Sequence, residues 1–141
     1  MRNYNNVLDI FNKVLSIDCE NHYALMDKGL VFLEIGRYAE ALDLFNKCLI
    51  NGLDNYSLWF FKAHALTSLK KYDEALDSLN KSLELEPNNA DILYNKGYIL
   101  EKLKRYQKSL EYYDKSLKIN HNDIDTLEGR KRVLKEIKNN Y

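Results

Sequence analysis

The chain is poor in turn formers, with one proline and five glycines in 141 residues. Sandwiches and barrels turn often and need such residues, so their scarcity excludes those classes and favours long helices. Two cysteines, Cys19 and Cys48, are too few for a disulfide framework, and a reducing interior is expected. The longest apolar stretches, such as Leu58-Trp59-Phe60-Phe61, fall far short of the roughly 20 residues that cross a bilayer. Met1 to Asn6 lacks the apolar centre of a signal peptide. Charge of one sign is also missing. Lys+Arg 21 against Asp+Glu 21 leaves a net charge of +0, which removes the general pull towards nucleic acid or an anionic membrane. What is present is globular: 45% hydrophobic and 30% charged residues, in a length that fits a single domain spanning 1–141. These properties predict a soluble, cytoplasmic, all-helical domain.

Internal repetition organises the chain. Tyr4, Tyr38, Tyr72 and Tyr106 stand 34 residues apart. Behind them at the same step follow Val7, Ala41, Ala75 and Ser109, then Leu8, Leu42, Leu76 and Leu110, then Phe11, Phe45, Leu79 and Tyr113. A second set precedes each tyrosine: Leu25, Trp59, Leu93 and Leu127; Gly29, Ala63 and Gly97; Phe32, Leu66, Leu100 and Leu134; Ile35, Leu69, Leu103 and Ile137. No gap is needed to keep the register.

Each period holds two helical stripes. Leu93, Gly97, Leu100 and Leu103 line one helix face, and Tyr106, Ser109, Leu110, Tyr113, Ser116 and Leu117 line another. Only Lys104-Arg105 separates the two, so the helices are predicted to lie antiparallel and in contact. Small residues at Gly29, Ala63 and Gly97, matched with Ala41, Ala75 and Ser109, let the backbones approach closely. Asn21, Asn55, Asn89 and Asp123 stand where a side-chain oxygen caps the first helix of each pair.

On these residues the chain resembles the tetratricopeptide repeat, a 34-residue helix–turn–helix unit. The register places three full repeats at 22–55, 56–89 and 90–123. The second helix of a partial repeat precedes them at 4–18, and a C-terminal capping helix follows at 124–138. The resemblance implies an all-α, right-handed α-solenoid of antiparallel helix pairs, about eight helices in all. It also implies a concave surface lined by the first helix of each repeat, with another protein, as a peptide or helix, for partner. The closing proline of the family pattern occurs only at Pro87, with Cys19, Leu53 and His121 in its place elsewhere.

The two ends differ. At the C-terminus Lys131 fills the slot of Gly29, Ala63 and Gly97, so no closely packed partner helix is expected there. Arg130, Arg132, Lys135 and Lys138 would form a wet face while Leu127, Leu134 and Ile137 dock inward. At the N-terminus Val7, Leu8, Phe11, Val14 and Leu15 present an apolar edge without the helix that would cover it. Such an edge invites self-association, and a homodimer is an expectation of the reading.

Phase also assigns the outward positions of the first helices. They are Tyr23, Met26, Asp27, Leu30 and Leu33; then Phe60, Phe61, His64 and Thr67; then Asp91, Tyr94, Asn95, Tyr98 and Glu101. Aromatic residues around an amide suit peptide docking. The competing reading packs Leu30, Leu33 and Phe61 against neighbouring repeats. Chaperone-binding members of the resembled family grip a carboxylate with Lys, Asn and Arg at set positions. Here those positions hold Met26, Leu30, Phe61, Asp91 and Asn95. One repeat further on they hold Phe60, His64, Asn95, Asp125 and Gly129, so that clamp is absent.

Catalytic and metal chemistry find no support. Cys19 and His22 have half a metal site's spacing without a second half, and no nucleophile is set beside His64. No glycine-rich phosphate loop occurs, and no cofactor is expected. The reading is a non-catalytic interaction scaffold with no nucleic-acid or membrane partner. Its alternatives are a self-associating structural module and a substrate-positioning fragment of a larger protein. The predicted helix pairing makes Ala75→Leu strongly destabilising by overpacking, and a melting temperature near wild type would refute it.

Overall fold

A computed structural model of the chain describes residues 4–139. Met1, Arg2 and Asn3, half of the N-terminal stretch read above, lie outside the described residues. Eight α-helices and no strands are found among the described residues: α1 (Tyr4–Ile17), α2 (His22–Glu34), α3 (Tyr38–Ile50), α4 (Tyr56–Ser68), α5 (Tyr72–Leu85), α6 (Ala90–Lys102), α7 (Tyr106–Ile119) and α8 (Ile124–Asn139). Alternate helices begin at a constant step of 34 residues, at Tyr4, Tyr38, Tyr72 and Tyr106 and at His22, Tyr56, Ala90 and Ile124. The chain forms two compact units, Met1–Lys71 and Tyr72–Tyr141, which carry α1–α4 and α5–α8.

Side-chain caps start the even-numbered helices. Asn21 accepts from the Ala24 N–H at 3.0 Å, Asn55 from Leu58 at 2.8 Å, Asn89 from Asp91 and Ile92 at 3.1 and 3.2 Å, and Asp123 from Thr126 at 2.9 Å. Each oxygen satisfies a backbone donor that the helix leaves open. Three even-numbered helices end in one repeated turn. Gly36, Lys70 and Lys104 adopt φ of +79°, +59° and +56°. The next N–H of each turn reaches back to Phe32, Leu66 or Leu100 at 2.8–2.9 Å. The left-handed residue lets the chain reverse within three positions, and at Lys70 and Lys104 it does so against the steric preference of a side chain.

In the first unit α2 and α3 lie antiparallel, since the Cys48 thiol near the end of α3 donates to the His22 carbonyl at the start of α2 (3.6 Å). Their contact is tightest at Gly29, where an added Cβ would stand 2.5 Å from Phe45 Cε1. Phe45 is fully buried, a gain of ~1.5–3 kcal/mol from apolar transfer. Around it Leu25, Phe32, Leu44, Leu58 and Ala65 complete the core. On the other side α1 docks against α2. Lys28 Nζ donates to Asn12 at 2.7 Å and the Tyr4 hydroxyl to Glu34 at 3.0 Å, while Leu8 and Leu15 pack against the core.

The second unit repeats this pattern. Ser116 Oγ, in the repeat position of Cys48, donates to the Ala90 carbonyl at 2.9 Å, and Ser109 Oγ to the Gly97 carbonyl at 2.7 Å. Lys96 Nζ donates to Asn80 at 2.6 Å and Arg130 Nε to Asp114 at 2.6 Å. These are the same tie between a helix and the one before it that Lys28 makes to Asn12. Tyr113 is fully buried. A Cβ at Gly97 would come within 2.7 Å of its ring, and one at Gly129 within 2.7 Å of its other end.

Helix α8 departs from the sequence expectation. Its buried residues are Thr126, Gly129 and Val133, whereas Leu127 is 45% exposed and Leu134 and Ile137 are half-buried. An even-numbered helix has one face for the helix before it and one for the helix after it. On α8 the face that carries Thr126, Gly129 and Val133 goes inward, with Gly129 against Tyr113 of α7, and Leu127 and Lys131 are left exposed. Arg130 and Arg132 stay partly exposed and also form ion pairs with Asp114 and Glu101.

Gly97→Ala is expected to destabilise the fold by about 1–3 kcal/mol, because the new methyl has only the rigid Tyr113 ring to displace. Urea unfolding followed by circular dichroism measures this, with Gly36→Ala as a comparison that carries only the backbone strain of φ +79° and no steric contact.

Candidate interaction surfaces

The outward residues of α2 and α4 divide into packing and exposed groups. Leu33 is buried at 9% exposure, which corrects its outward assignment: it sits one turn beyond Leu30, where the helix meets the core. Met26, Leu30 and Phe61 are half-buried and rest on the same core. The Phe61 ring stacks on Phe45 with centroids 6.4 Å apart, and Phe60 meets it edge-on at 5.8 Å. Phe60 is half-buried, His64 is exposed and Tyr23 is 73% exposed. His64 keeps a wet edge, yet the protein around its ring lowers its pKa by desolvation, favouring the neutral imidazole.

In the second unit Tyr94, Asn95 and Tyr98 lie half-buried on α6. The Tyr94 ring is 6.4 Å from Tyr98 and 5.9 Å from Tyr113, distances typical of tilted aromatic pairs. Burial raises the Tyr94 pKa and the negative charge of Asp125 adds to it, against the opposing charge of Arg132. The Asn95 amide donates to the Asp91 carbonyl of its own helix at 2.8 Å. Lys102 Nζ sits 4.9 Å from the centre of the Tyr98 ring.

Next to the tyrosines is a polar knot that spacing did not reveal. Glu101 on α6 accepts from the Tyr113 hydroxyl at 2.7 Å and from Arg132 at 2.9 and 3.2 Å. Burial pushes the Glu101 carboxyl up, but the Arg132 and Tyr113 hydrogen bonds outweigh it and leave the pKa below its ordinary value. Burial and the bond to Glu101 push the Tyr113 phenol well up. The knot fastens α6, α7 and α8 where the outward face begins.

The N-terminal edge residues are spread over two sides of α1. Leu8 packs inward and Phe11 is half-buried, while Val7, Ile10, Val14 and Ile17 are exposed at 38%, 60%, 37% and 89%. Cys19 is exposed. Cys48 is fully buried, and desolvation pushes its thiol up to about 11. Among the described residues no group of three or more His, Cys, Asp or Glu is placed to hold a metal ion. Nor is any helix long and apolar enough to cross a membrane.

Comparison with known proteins gives the class. A family model described as TPR repeat matches residues 63–104, and one described as Tetratricopeptide repeat matches 90–123. A third, Anaphase-promoting complex, cyclosome, subunit 3, matches 1–82. No curated protein sequence matches the chain. The fold is similar to YrrB, described as a TPR protein with an unusual peptide-binding site (TM-score 0.84, 22% identity, 96% of this chain and 70% of that one). It is similar to MamA (TM-score 0.78, 21% identity, 93% and 88%). It is also similar to the first TPR of Spaghetti (RPAP3) bound to the HSP90 peptide SRMEEVD (TM-score 0.79, 21% identity, 85% and 95%). The protein belongs to the tetratricopeptide-repeat family and is an all-α helical repeat solenoid.

Because the folded pKa of Glu101 is depressed, its contribution to stability is present above the ordinary carboxyl value of 4.5 and is lost as pH falls through the lower, folded value. Thermal melts from about pH 6 to pH 3 should therefore show a shallower acid-induced fall for Glu101→Gln than for wild type.

Proposed function

We propose that this chain is a non-catalytic scaffold that binds a segment of another protein on the outward faces of its even-numbered helices. The observation that carries the reading is on α6. Leu93, Gly97 and Leu100 are buried, whereas Tyr94 and Tyr98 leave half-exposed rings side by side. Paired tyrosines give a rigid contact surface at low entropic cost, the usual chemistry of protein-binding sites. The first unit offers a second such surface in Tyr23, Phe60 and His64, underlain by Met26, Leu30 and Phe61. The peptide-binding descriptions of YrrB and the Spaghetti domain support this reading. A role inside a multi-protein assembly is favoured by the subunit 3 match over residues 1–82, and it would use the same surfaces.

The chemistry of the second unit selects the partner. Asp91 and Asp125 lie at the N-terminal ends of α6 and α8, and the charge of Asp125 reaches Tyr94. A segment with an aromatic or aliphatic anchor and a neighbouring Lys or Arg fits there. An acidic tail does not, because the positions that would hold its carboxylate carry Met26, Leu30 and Phe61, or Asp125 and Gly129.

Panning a displayed peptide library on the intact protein should return basic, aromatic-containing sequences. Tyr94→Ala/Tyr98→Ala should weaken such a peptide by roughly tenfold or more in calorimetric titration, with the helical spectrum retained. SRMEEVD should give no binding signal. Equal affinity for wild type and the double variant would overturn the proposal.

A further inference from the structure

Helix α1 carries two apolar stripes. Leu8 and Leu15 turn towards their own unit and pack on its core, and Phe11, in phase with Phe45, is half-buried between the stripes. Val7, Ile10, Val14 and Ile17 form the other stripe. Their steps of three, four and three residues are the a and d spacing of a heptad. All four are exposed, Ile17 at 89%, and no charged residue interrupts them. Their repeat counterparts in α3 behave in the opposite way. Ala41, Leu44 and Cys48, in phase with Val7, Ile10 and Val14, are exposed by no more than 8%.

The occupant of this stripe can be argued from charge and from steric fit. With Val7 and Val14 at a, Lys13 falls at g and Asp18 at the following e. In a parallel pair, g faces the following e of the partner helix, so each Lys13 meets Asp18 of the second copy. The Asp18 carboxylate is already held at the helix end by the Glu20 N–H and the Asn21 amide, at 3.2 and 3.3 Å. An antiparallel pair would instead set Lys13 against Lys13. Head-to-tail docking of α1 on the outer face of α8 in a second copy fails on space. By phase it would bring Phe11 against Lys131, at the slot where Gly29 leaves no room even for a Cβ beside Phe45. Association therefore closes at two copies instead of growing into a filament.

We infer that α1 is a dimerisation helix, pairing in parallel with α1 of a second copy along Val7, Ile10, Val14 and Ile17, with Lys13–Asp18 ion pairs at both flanks. The seam is short, so the dimer is weak and forms at high protein concentration.

Sedimentation equilibrium of the 141-residue protein tests this. Wild type should show a monomer–dimer equilibrium, and Ile10→Lys/Ile17→Lys should raise the dissociation constant by roughly tenfold or more. The helical spectrum and melt should persist, since both side chains are exposed. Lys13→Glu should weaken the dimer and Lys13→Glu/Asp18→Lys should restore it. Mild oxidation of Cys19→Ser/Val14→Cys should link two copies covalently, because a faces a only in the parallel arrangement and Cys48 is buried. A monomer at every concentration, species larger than a dimer, a dimer indifferent to the double lysine change, or a dimer that resists the cross-link would each overturn the inference.

Discussion

The closeness of two backbones at a glycine underlies the architecture. At Gly29 and Gly97 an added Cβ would stand 2.5 and 2.7 Å from an aromatic ring on the paired helix, so only hydrogen fits. With that hydrogen in place, Phe45 and Tyr113 pack against the opposing helix and lose all exposure. Each ring fills the gap that a rounder side chain would leave. Polar ties at the helix ends then set the direction of each pair: Cys48 to His22 in one unit and Ser116 to Ala90 in the other. Neither tie spends a charge, which suits a buried position where an ion would need costly compensation.

This inner arrangement frees the outer one. Leu93, Gly97 and Leu100 are the buried side of α6, and Tyr94 and Tyr98 stay half-buried on its outer side. The separation is incomplete in the second unit. Tyr113 belongs to the inner layer by position, yet its hydroxyl reaches Glu101, which also holds Arg132. One buried phenol thus connects the interior to the edge of the outward face. In the first unit Phe61 plays a related part, stacked on buried Phe45 while supporting Phe60.

Helices α1 and α8 depart from the burial pattern of their repeat counterparts in opposite ways. Helix α1 keeps the apolar pattern of its counterpart α3 and so exposes Val7, Ile10 and Val14, where α3 buries Ala41, Leu44 and Cys48. Helix α8 changes the pattern by placing Lys131 where glycine or alanine stands elsewhere, and Leu127 stays 45% exposed beside it. A cation in a packing slot keeps that slot hydrated, whereas an unaltered apolar face leaves apolar surface in water.

Helix number, phase, caps and the small-residue contacts were legible in the sequence because they follow from periodicity along the chain. A 34-residue step repeats the same local physics at Asn21, Asn55 and Asn89, or at Gly29 and Gly97, and a repeated signal can be read without coordinates. Phase also marked the outward positions, including Tyr94 and Tyr98. It could not say which of two equivalent faces α8 would bury, since that depends on a neighbour being present on each side. Phase left Leu33 between an outward and a packing reading, and it could not reveal that Glu101, Tyr113 and Arg132 meet, because three residues on three helices share no spacing. Interactions between side chains far apart in sequence are decided by how the helices pack, and only the folded arrangement brings those groups within bonding distance.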